Sequence, residues 1–230
     1  GSEMCIRDRV DTATEDSTVT FTDGKNVTHS IEYKSQIPLT PVLKAVWYAG
    51  MYVMAAWFLL ANLRFMLRLR RSRKPYPVEN CPYPVYLTAD LPSPCLFGLF
   101  HPAVYLTPAA VESPETLRHV LIHETTHARH LDPLWSLLRC VCLAVYWFDP
   151  LVWIAAIFSR RDCELACDEG ALRQLGESER IPYGQTLLRL IPVAGRPESP
   201  MLSATTMTAG KRELKDRVTR IAENRRTVGV

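Results

Sequence analysis

One segment constrains the fold of this 230-residue chain more than any other. Residues 45–61 carry no charged side chain, and they lie inside an apolar run from Val42 to Phe65. As a helix that rises ~1.5 Å per residue, this run is long enough to cross the ~30 Å hydrocarbon core of a bilayer. We therefore predict a transmembrane helix at residues 42–65.

The charges beside this run predict its orientation. Six basic residues follow it closely: Arg64, Arg68, Arg70, Arg71, Arg73 and Lys74. Because basic residues concentrate on the cytoplasmic side of membrane helices, residues 10–40 are predicted to be extracytoplasmic and residues 75–230 to face the cytoplasm. The net charge of +3 does not favour nucleic acid, so the bilayer and a protein or peptide are the predicted partners.

Two expectations concern the first 40 residues. Residues 1–9 are predicted to be a non-native leader, because residues 4–9 resemble the translation of a transposon-end sequencing adapter. Between Thr18 and Tyr33, apolar residues and threonines alternate on both sides of Asp23-Gly24. Because Asp-Gly is a frequent hairpin turn, this pattern predicts a β-hairpin.

The region after the membrane segment predicts an α+β fold that is mostly helical. Strand candidates in a small sheet are Val85–Leu87, Cys95–Phe100 and Ala103–Leu106. Ser113 is a suitable N-cap and Pro114 suits the first helical position, which predicts a helix from there to about Leu131. A last, charged helix is predicted from Lys211 to Arg225, with Leu214, Val218 and Ile221 on one face.

A second apolar region, Leu134 to Phe158, is divided by Asp149-Pro150. The two pieces would be ~20 Å and ~14 Å long as helices, too short to cross the bilayer singly. We predict a helical hairpin, either packed in the core or dipping into the cytoplasmic leaflet. A separate helix from Arg160 to Ala171 is predicted to follow it.

The chemically informative motif lies inside the helix that begins at Ser113. His123 and His127 are four residues apart, so both imidazoles lie on one helix face and can reach one zinc ion. Glu124 is then beside the metal without ligating it, where a general base can take a proton from a zinc-activated water. The motif predicts a zinc hydrolase centre.

A catalytic zinc needs a third protein ligand and an open position. Glu164 and Asp168 share a helix face, so Glu164 can ligate while Asp168 orients a ligand from behind. Cys163 and Cys167 are also four residues apart, and with the two histidines they would make a closed structural site that has no use for Glu124. Both arrangements remain open at this point.

Several blocks of residues, taken in order, resemble the M56 family of membrane metallopeptidases, which includes the β-lactam-sensing receptors of staphylococci. The similarity covers about residues 41–226. The similar blocks are Pro92–Pro102 with Val104–Leu106, Leu121–His127 with Asp132, Trp147–Trp153, and Asp162–Glu169. Asp149 and Tyr146 depart from the asparagine and histidine that are usual in the family.

The resemblance implies a membrane-anchored zincin-like (gluzincin) domain. It implies His123, His127 and Glu164 as zinc ligands and Glu124 as the catalytic base. Asp168 and Asp132 would lie behind the ligands. Family members usually have further membrane helices upstream, and the one clear span here is what we expect of a chain truncated at its adapter-like end.

These observations predict a zinc endopeptidase whose substrate is a transcriptional repressor or the protein itself. An extended substrate would add to a sheet edge at Cys95–Phe100, with Phe97 and Gly98 as binding residues, unless that stretch is an internal strand. The alternative function is a signalling or structural membrane module with the closed two-histidine, two-cysteine site and no proteolysis.

Overall fold

The structure is a computed structural model that describes residues 17–22, 28–33, 39–190, 205–206 and 211–223. The chain divides into two compact units, residues 1–49 and residues 50–230. In the first unit, β1 (Ser17–Thr22) pairs antiparallel with β2 (Thr28–Tyr33), where the sequence predicts a hairpin. The predicted turn at Asp23-Gly24 and the predicted leader at residues 1–9 lie outside the described residues.

Helix α1 (Leu39–Ser72) contains the predicted membrane segment. It has 34 residues and therefore extends beyond residues 42–65 at both ends. Among the described helices it is the one that is long and apolar enough to cross a membrane, by length and composition. Near its C-terminal end, the fully buried Leu69 packs with Leu91 and Tyr105 and so attaches α1 to the sheet.

A small mixed sheet has the strand order β3-β4-β6-β5-β7. Its strands are β3 (Lys74–Pro75), β4 (Val85–Leu87), β5 (Cys95–Phe97), β6 (Ala103–Leu106) and β7 (Thr205–Thr206). Strands β4 and β6 are parallel and the other pairs are antiparallel. Strand β5 lies between β6 and β7, so it is an internal strand of the described sheet and the two-residue β7 is the edge.

Five further α-helices lie in the described part of the chain. They are α2 (Pro114–Arg129), α3 (Asp132–Val145), α4 (Pro150–Leu175), α5 (Arg180–Arg189) and α6 (Lys211–Ala222). The predicted start of α2 is correct, because the Ser113 hydroxyl accepts a hydrogen bond from the Thr116 amide at 3.1 Å. The mostly helical α+β fold is confirmed, although α5 was not predicted.

The predicted separate helix from Arg160 to Ala171 was wrong in its boundaries. Helix α4 is continuous from Pro150 to Leu175. Asp149 caps its N-terminus by accepting a hydrogen bond from the Leu151 amide at 2.8 Å, and no proline interrupts the chain until Pro182. One rigid helix therefore joins the apolar hairpin to Glu164. The predicted last helix is confirmed from Lys211 to Ala222, and residues 224–225 are not described.

Helix α2 lies between the sheet and α4. Its Val120 belongs to a core that includes Leu96 and Val104 of the sheet, Tyr183 of α5 and Ile221 of α6.

A glycine sets the spacing on the α4 side. A Cβ atom on Gly170 would lie only 2.7 Å from Cγ2 of Thr126, so this position permits a close approach of α4 to α2. Because α4 packs closely on α2, the side chain of Glu164 lies near the histidines of α2.

Candidate metal centre

The two predicted histidine ligands meet on the buried face of α2. His123 and His127 are fully buried, and their Nε2 atoms are 3.1 Å apart. Helix α4 brings Glu164 to the same point, with carboxylate oxygens 3.8 Å from Nε2 of His123 and 4.0 Å from Nε2 of His127. The ligating atoms of the three residues all lie within 4.8 Å of one another, so this group can hold a metal ion.

The hydrogen bonds behind His127 fix its tautomer. Its Nδ1 lies 2.6 Å from Oδ2 of Asp132, and the Cys167 thiol donates to the same oxygen at 3.1 Å. Burial raises the pKa of Asp132, but the hydrogen bond from His127 outweighs burial and holds that pKa below its usual value. The ionised carboxylate therefore accepts the Nδ1 proton of His127 and leaves Nε2 facing the centre.

His123 is oriented through a longer chain of hydrogen bonds. Its Nδ1 is 2.7 Å from the Tyr183 hydroxyl, and that hydroxyl donates to Oδ1 of Asp168 at 2.8 Å. Because the single phenolic proton goes to Asp168, the Tyr183 oxygen must accept from Nδ1 of His123. Nε2 of His123 therefore also presents a lone pair. Asp168 acts mainly through Tyr183, a partner that the sequence did not indicate.

The donor set fits a divalent cation. Two imidazole nitrogens and a carboxylate converge at a buried site, where a bound cation would compensate the charge of the carboxylate. Ligands bound tetrahedrally to zinc at ~2.0–2.1 Å are roughly 3.3 Å apart, close to the separations observed here. Nitrogen and carboxylate ligands in this number are those of catalytic zinc sites.

Glu124 follows His123 on α2 and is the residue predicted to be the general base. It is fully buried beside His123, and neither of its oxygens accepts a hydrogen bond of normal geometry. Burial, with the charge of Glu164 adding to it, raises the pKa of Glu124 to about 8, although His127 and the Leu96 backbone act in the opposite direction. A buried carboxylate with such a pKa is typical of catalytic sites.

Arg217 of α6 supplies the positive charge behind Glu164 and Asp168. The guanidinium is almost completely buried, and its Nε and Nη2 each donate to an oxygen of Asp168 at 2.7 Å. Its Nη1 is 3.0 Å from Oε2 of Glu164, an ion pair by distance but not a hydrogen bond by angle. Burial raises the pKa of Glu164, and Arg217 opposes that rise. Arg217 was missed from the sequence, because a single arginine on a charged helix gives no signal.

The structure does not assemble the rival site of two histidines and two cysteines. The Cys167 thiol lies 3.1 Å from Nδ1 of His127, on the far side of that ring from the centre. Cys163 instead accepts a hydrogen bond from Arg139 at 3.5 Å. Within the described residues, no cluster of ligating atoms joins both cysteines to both histidines.

Phe97 and Gly98, the two residues predicted to bind substrate, each have a role in the fold. The Phe97 ring packs edge-on against Phe65 of α1 with ring centres 5.3 Å apart, so its side chain is occupied by the fold. Gly98 has φ 116°, and a Cβ there would lie 2.5 Å from the His101 carbonyl oxygen, so glycine is required by the turn after β5. Their role in binding a substrate stays a prediction.

Replacing Tyr183 by phenylalanine is expected to weaken divalent-metal binding by ~10–100-fold with little loss of fold. The variant keeps the ring that fills the core and removes only the hydroxyl that receives the Nδ1 proton of His123. Titration of the metal-stripped protein with Zn²⁺ and Co²⁺ measures the effect. Tyr76→Phe, which changes a partly buried tyrosine that packs against the same core, is the control. Equal metal affinities for the two variants would contradict a role for the hydrogen bond between His123 and Tyr183 in metal binding.

Metal affinity is also expected to fall as the pH is lowered. Burial lowers the pKa of His127, but the hydrogen bond with Asp132 and the charges of Glu164 and Glu124 outweigh it and raise that pKa to about 8. Below this pH the metal must displace a proton, so the affinity should drop ~tenfold per pH unit, and above it the affinity should level off. Competition with a fluorescent chelator between about pH 6 and 9 tests this, and a flat profile would contradict it.

Comparison with known proteins identifies the family of this chain. The family model described as "BlaR1 peptidase M56" matches residues 4–221. The chain belongs to the M56 peptidase family. This confirms the resemblance inferred from the sequence blocks.

Relatives of this M56 chain include two named regulators. It is 27% identical over 208 residues to "Regulatory protein BlaR1" of Bacillus licheniformis, which covers 82% of this chain and 34% of the relative. It is 28% identical over 104 residues to "Methicillin resistance mecR1 protein" of Staphylococcus aureus, which covers 44% of this chain and 18% of the relative. The chain thus spans about a third or less of the length of these relatives.

Proposed function

We propose that this chain is a membrane-anchored zinc metalloendopeptidase of the bacterial inner membrane whose peptidase domain faces the cytoplasm. The observation that carries the proposal is the convergence of His123, His127 and Glu164 beside the buried, unpartnered carboxylate of Glu124. Membership of a peptidase family supports it. Arg70 and Arg71 in the last turn of α1 support the cytoplasmic orientation.

His123, His127 and Glu164 would hold the metal, and zinc in such a site polarises a carbonyl group and makes water more acidic. The carboxylate of Glu124 accepts a proton from the attacking water and returns it to the leaving amine. Asp132 and Tyr183 keep the Nδ1 protons of the two histidines away from the centre. Arg217 opposes protonation of Glu164 and so favours the carboxylate form that can be a ligand.

The edge of β5 is the proposed site for an extended substrate. In the free chain β7 pairs there, with Leu96 opposite Thr205 and Cys95 opposite Thr206. The Leu96 backbone also approaches Glu124 closely enough to lower its pKa. We therefore favour the chain segment around β7 as one substrate, in autocleavage. A transcriptional repressor is the second substrate class, because a named relative is a regulatory protein.

The proposal is tested on the full chain in detergent by measuring bound zinc and self-cleavage together. Glu164→Ala should lose both, whereas Cys163→Ser should keep both. Mass spectrometry of the products locates the cut. If Glu164→Ala keeps its zinc and Cys163→Ser loses it, the centre is a structural site and the alternative function, a module without proteolysis, holds.

A further inference from the structure

The hairpin of α3 and the first part of α4 has an apolar outer surface that the rest of the described chain leaves uncovered. Eleven large apolar side chains are each more than 40% exposed. They are Leu134, Trp135, Leu137, Leu138, Val141, Tyr146, Phe148, Leu151, Ile154, Ile157 and Phe158. A contiguous apolar surface of this kind marks an interaction with a partner or a membrane. The sequence left open whether this hairpin packs in the core of the protein. The exposure of these side chains excludes that position.

Few charged residues lie in this hairpin. Between Pro133 and Phe158 the charged residues are Arg139 and Asp149. The Arg139 guanidinium turns into the hairpin, where it donates to the hydroxyls of Ser136 at 2.7 Å and Ser159 at 3.3 Å. Asp149 caps α4 at the tip of the hairpin. The flanks of the hairpin therefore present no ionised group outward, which is what a hydrocarbon environment requires.

The inner face of the hairpin packs along α1. Phe58 of α1 forms a cluster with Leu143 and Ala144 of α3. At the tip, the indole of Trp147 lies against Gly50 so closely that a Cβ on Gly50 would be 2.2 Å from Cε2. Gly50 is roughly 28 Å along α1 from Leu69, where α1 joins the sheet. The hairpin tip therefore lies beside the apolar part of α1, far along that helix from the sheet.

We propose that this hairpin is a re-entrant membrane segment, inserted beside α1 with its outer surface covered by lipid acyl chains. The lipid-facing surface of α1 continues onto it without a charged boundary, and charged residues resume only at Arg160 and Arg161 on α4. The chain enters and leaves on one side, so α2 and Glu164 stay on the same side. The metal centre then lies only ~9 Å along α4 from the last lipid-facing residue, Phe158.

Lipid photolabelling of the full chain in phosphatidylcholine liposomes tests the insertion without any mutation. A phosphatidylcholine with a diazirine on its acyl chain should label peptides from residues 134–158 as strongly as peptides from residues 50–65. Leu188 on α5 is the matched control, because it is similarly exposed but lies outside the hairpin, and it should stay unlabelled. If α1 is labelled and the hairpin is not, the re-entrant segment is refuted. If neither is labelled, membrane anchoring is refuted as well. Zinc-dependent cleavage is tested by a separate experiment, so the two failures can be told apart.

Two native cysteines give a second measurement. Cys142 of α3 and Cys81 of the segment between β3 and β4 are both partly exposed thiols. In liposomes open on both sides, a water-soluble maleimide should modify Cys81 and leave Cys142 unreacted. Unfolding in sodium dodecyl sulfate should then make Cys142 reactive. Equal reactivity of the two thiols in liposomes would mean that water reaches the hairpin, and insertion would be refuted.

Discussion

Glu124→Gln is expected to lower the rate of peptide cleavage by ~10²–10⁴-fold while bound zinc is retained. The amide has nearly the shape of the carboxylate but cannot accept a proton from water. Because Glu124 is not among the ligating atoms that converge with His123 and His127, the metal should stay. Self-cleavage is followed by gel and mass spectrometry, and zinc by atomic emission on the same samples.

The matched control for this prediction is Glu112→Gln, which changes an exposed glutamate just before the same helix. It should leave both zinc and cleavage unchanged. A Glu124→Gln protein that still cleaves at the rate of the unmodified chain would remove the base from the proposed mechanism. A variant that loses its zinc would instead make Glu124 part of the metal site.

Arg217→Met is expected to destabilise the metal-stripped protein by about 3–5 kcal/mol, which lowers its melting temperature by roughly 10 °C. The substitution keeps an apolar stem and removes the charge, so the buried carboxylates of Glu164 and Asp168 are left without compensation. The pKa of Glu164, which burial already raises, should rise further. A higher pKa makes the Glu164 carboxyl harder to deprotonate, so zinc affinity should fall as well.

Arg220→Met is the control for this effect. Arg220 lies three residues later on α6, and its Nε contacts Oδ2 of Asp216 at 3.2 Å on a partly exposed surface. Exposed pairs of this kind contribute ~1 kcal/mol or less. Adding Asp168→Asn to Arg217→Met should recover part of the lost stability, because one uncompensated charge is removed. If Arg217→Met is no less stable than Arg220→Met, the buried ion pair does not support the centre.

The sequence predicts His123 as a site residue but not Tyr183, and the reason is where each residue lies in the chain. His123, Glu124 and His127 share one helix, so the helical period alone brings the histidines together. Glu164 and Asp168 were found because they share a second helix face and match a family block. Tyr183 and Arg217 come from α5 and α6, and only tertiary packing brings them near Asp168, so no local spacing indicates them.

The strand β5 illustrates a different limit. Its sequence predicts an extended conformation but not its neighbours, because pairing joins β5 to β7 more than a hundred residues later. Helix α4 illustrates a third limit. Its change from apolar to charged residues suggested a helix boundary, although composition does not break a helix when no proline or capping residue interrupts the backbone hydrogen bonds.

By itself, the sequence determined what depends on local periodicity and composition: the apolar helix α1, the start of α2, the facing histidines, and the hairpin break at Asp149-Pro150. The tertiary structure alone decided which atoms of those residues meet. It directed the Nε2 atoms of His123 and His127 towards Glu164, placed Arg217 behind the carboxylates, and left the hairpin surface uncovered. These outcomes depend on contacts between residues far apart in the chain, which no local pattern encodes.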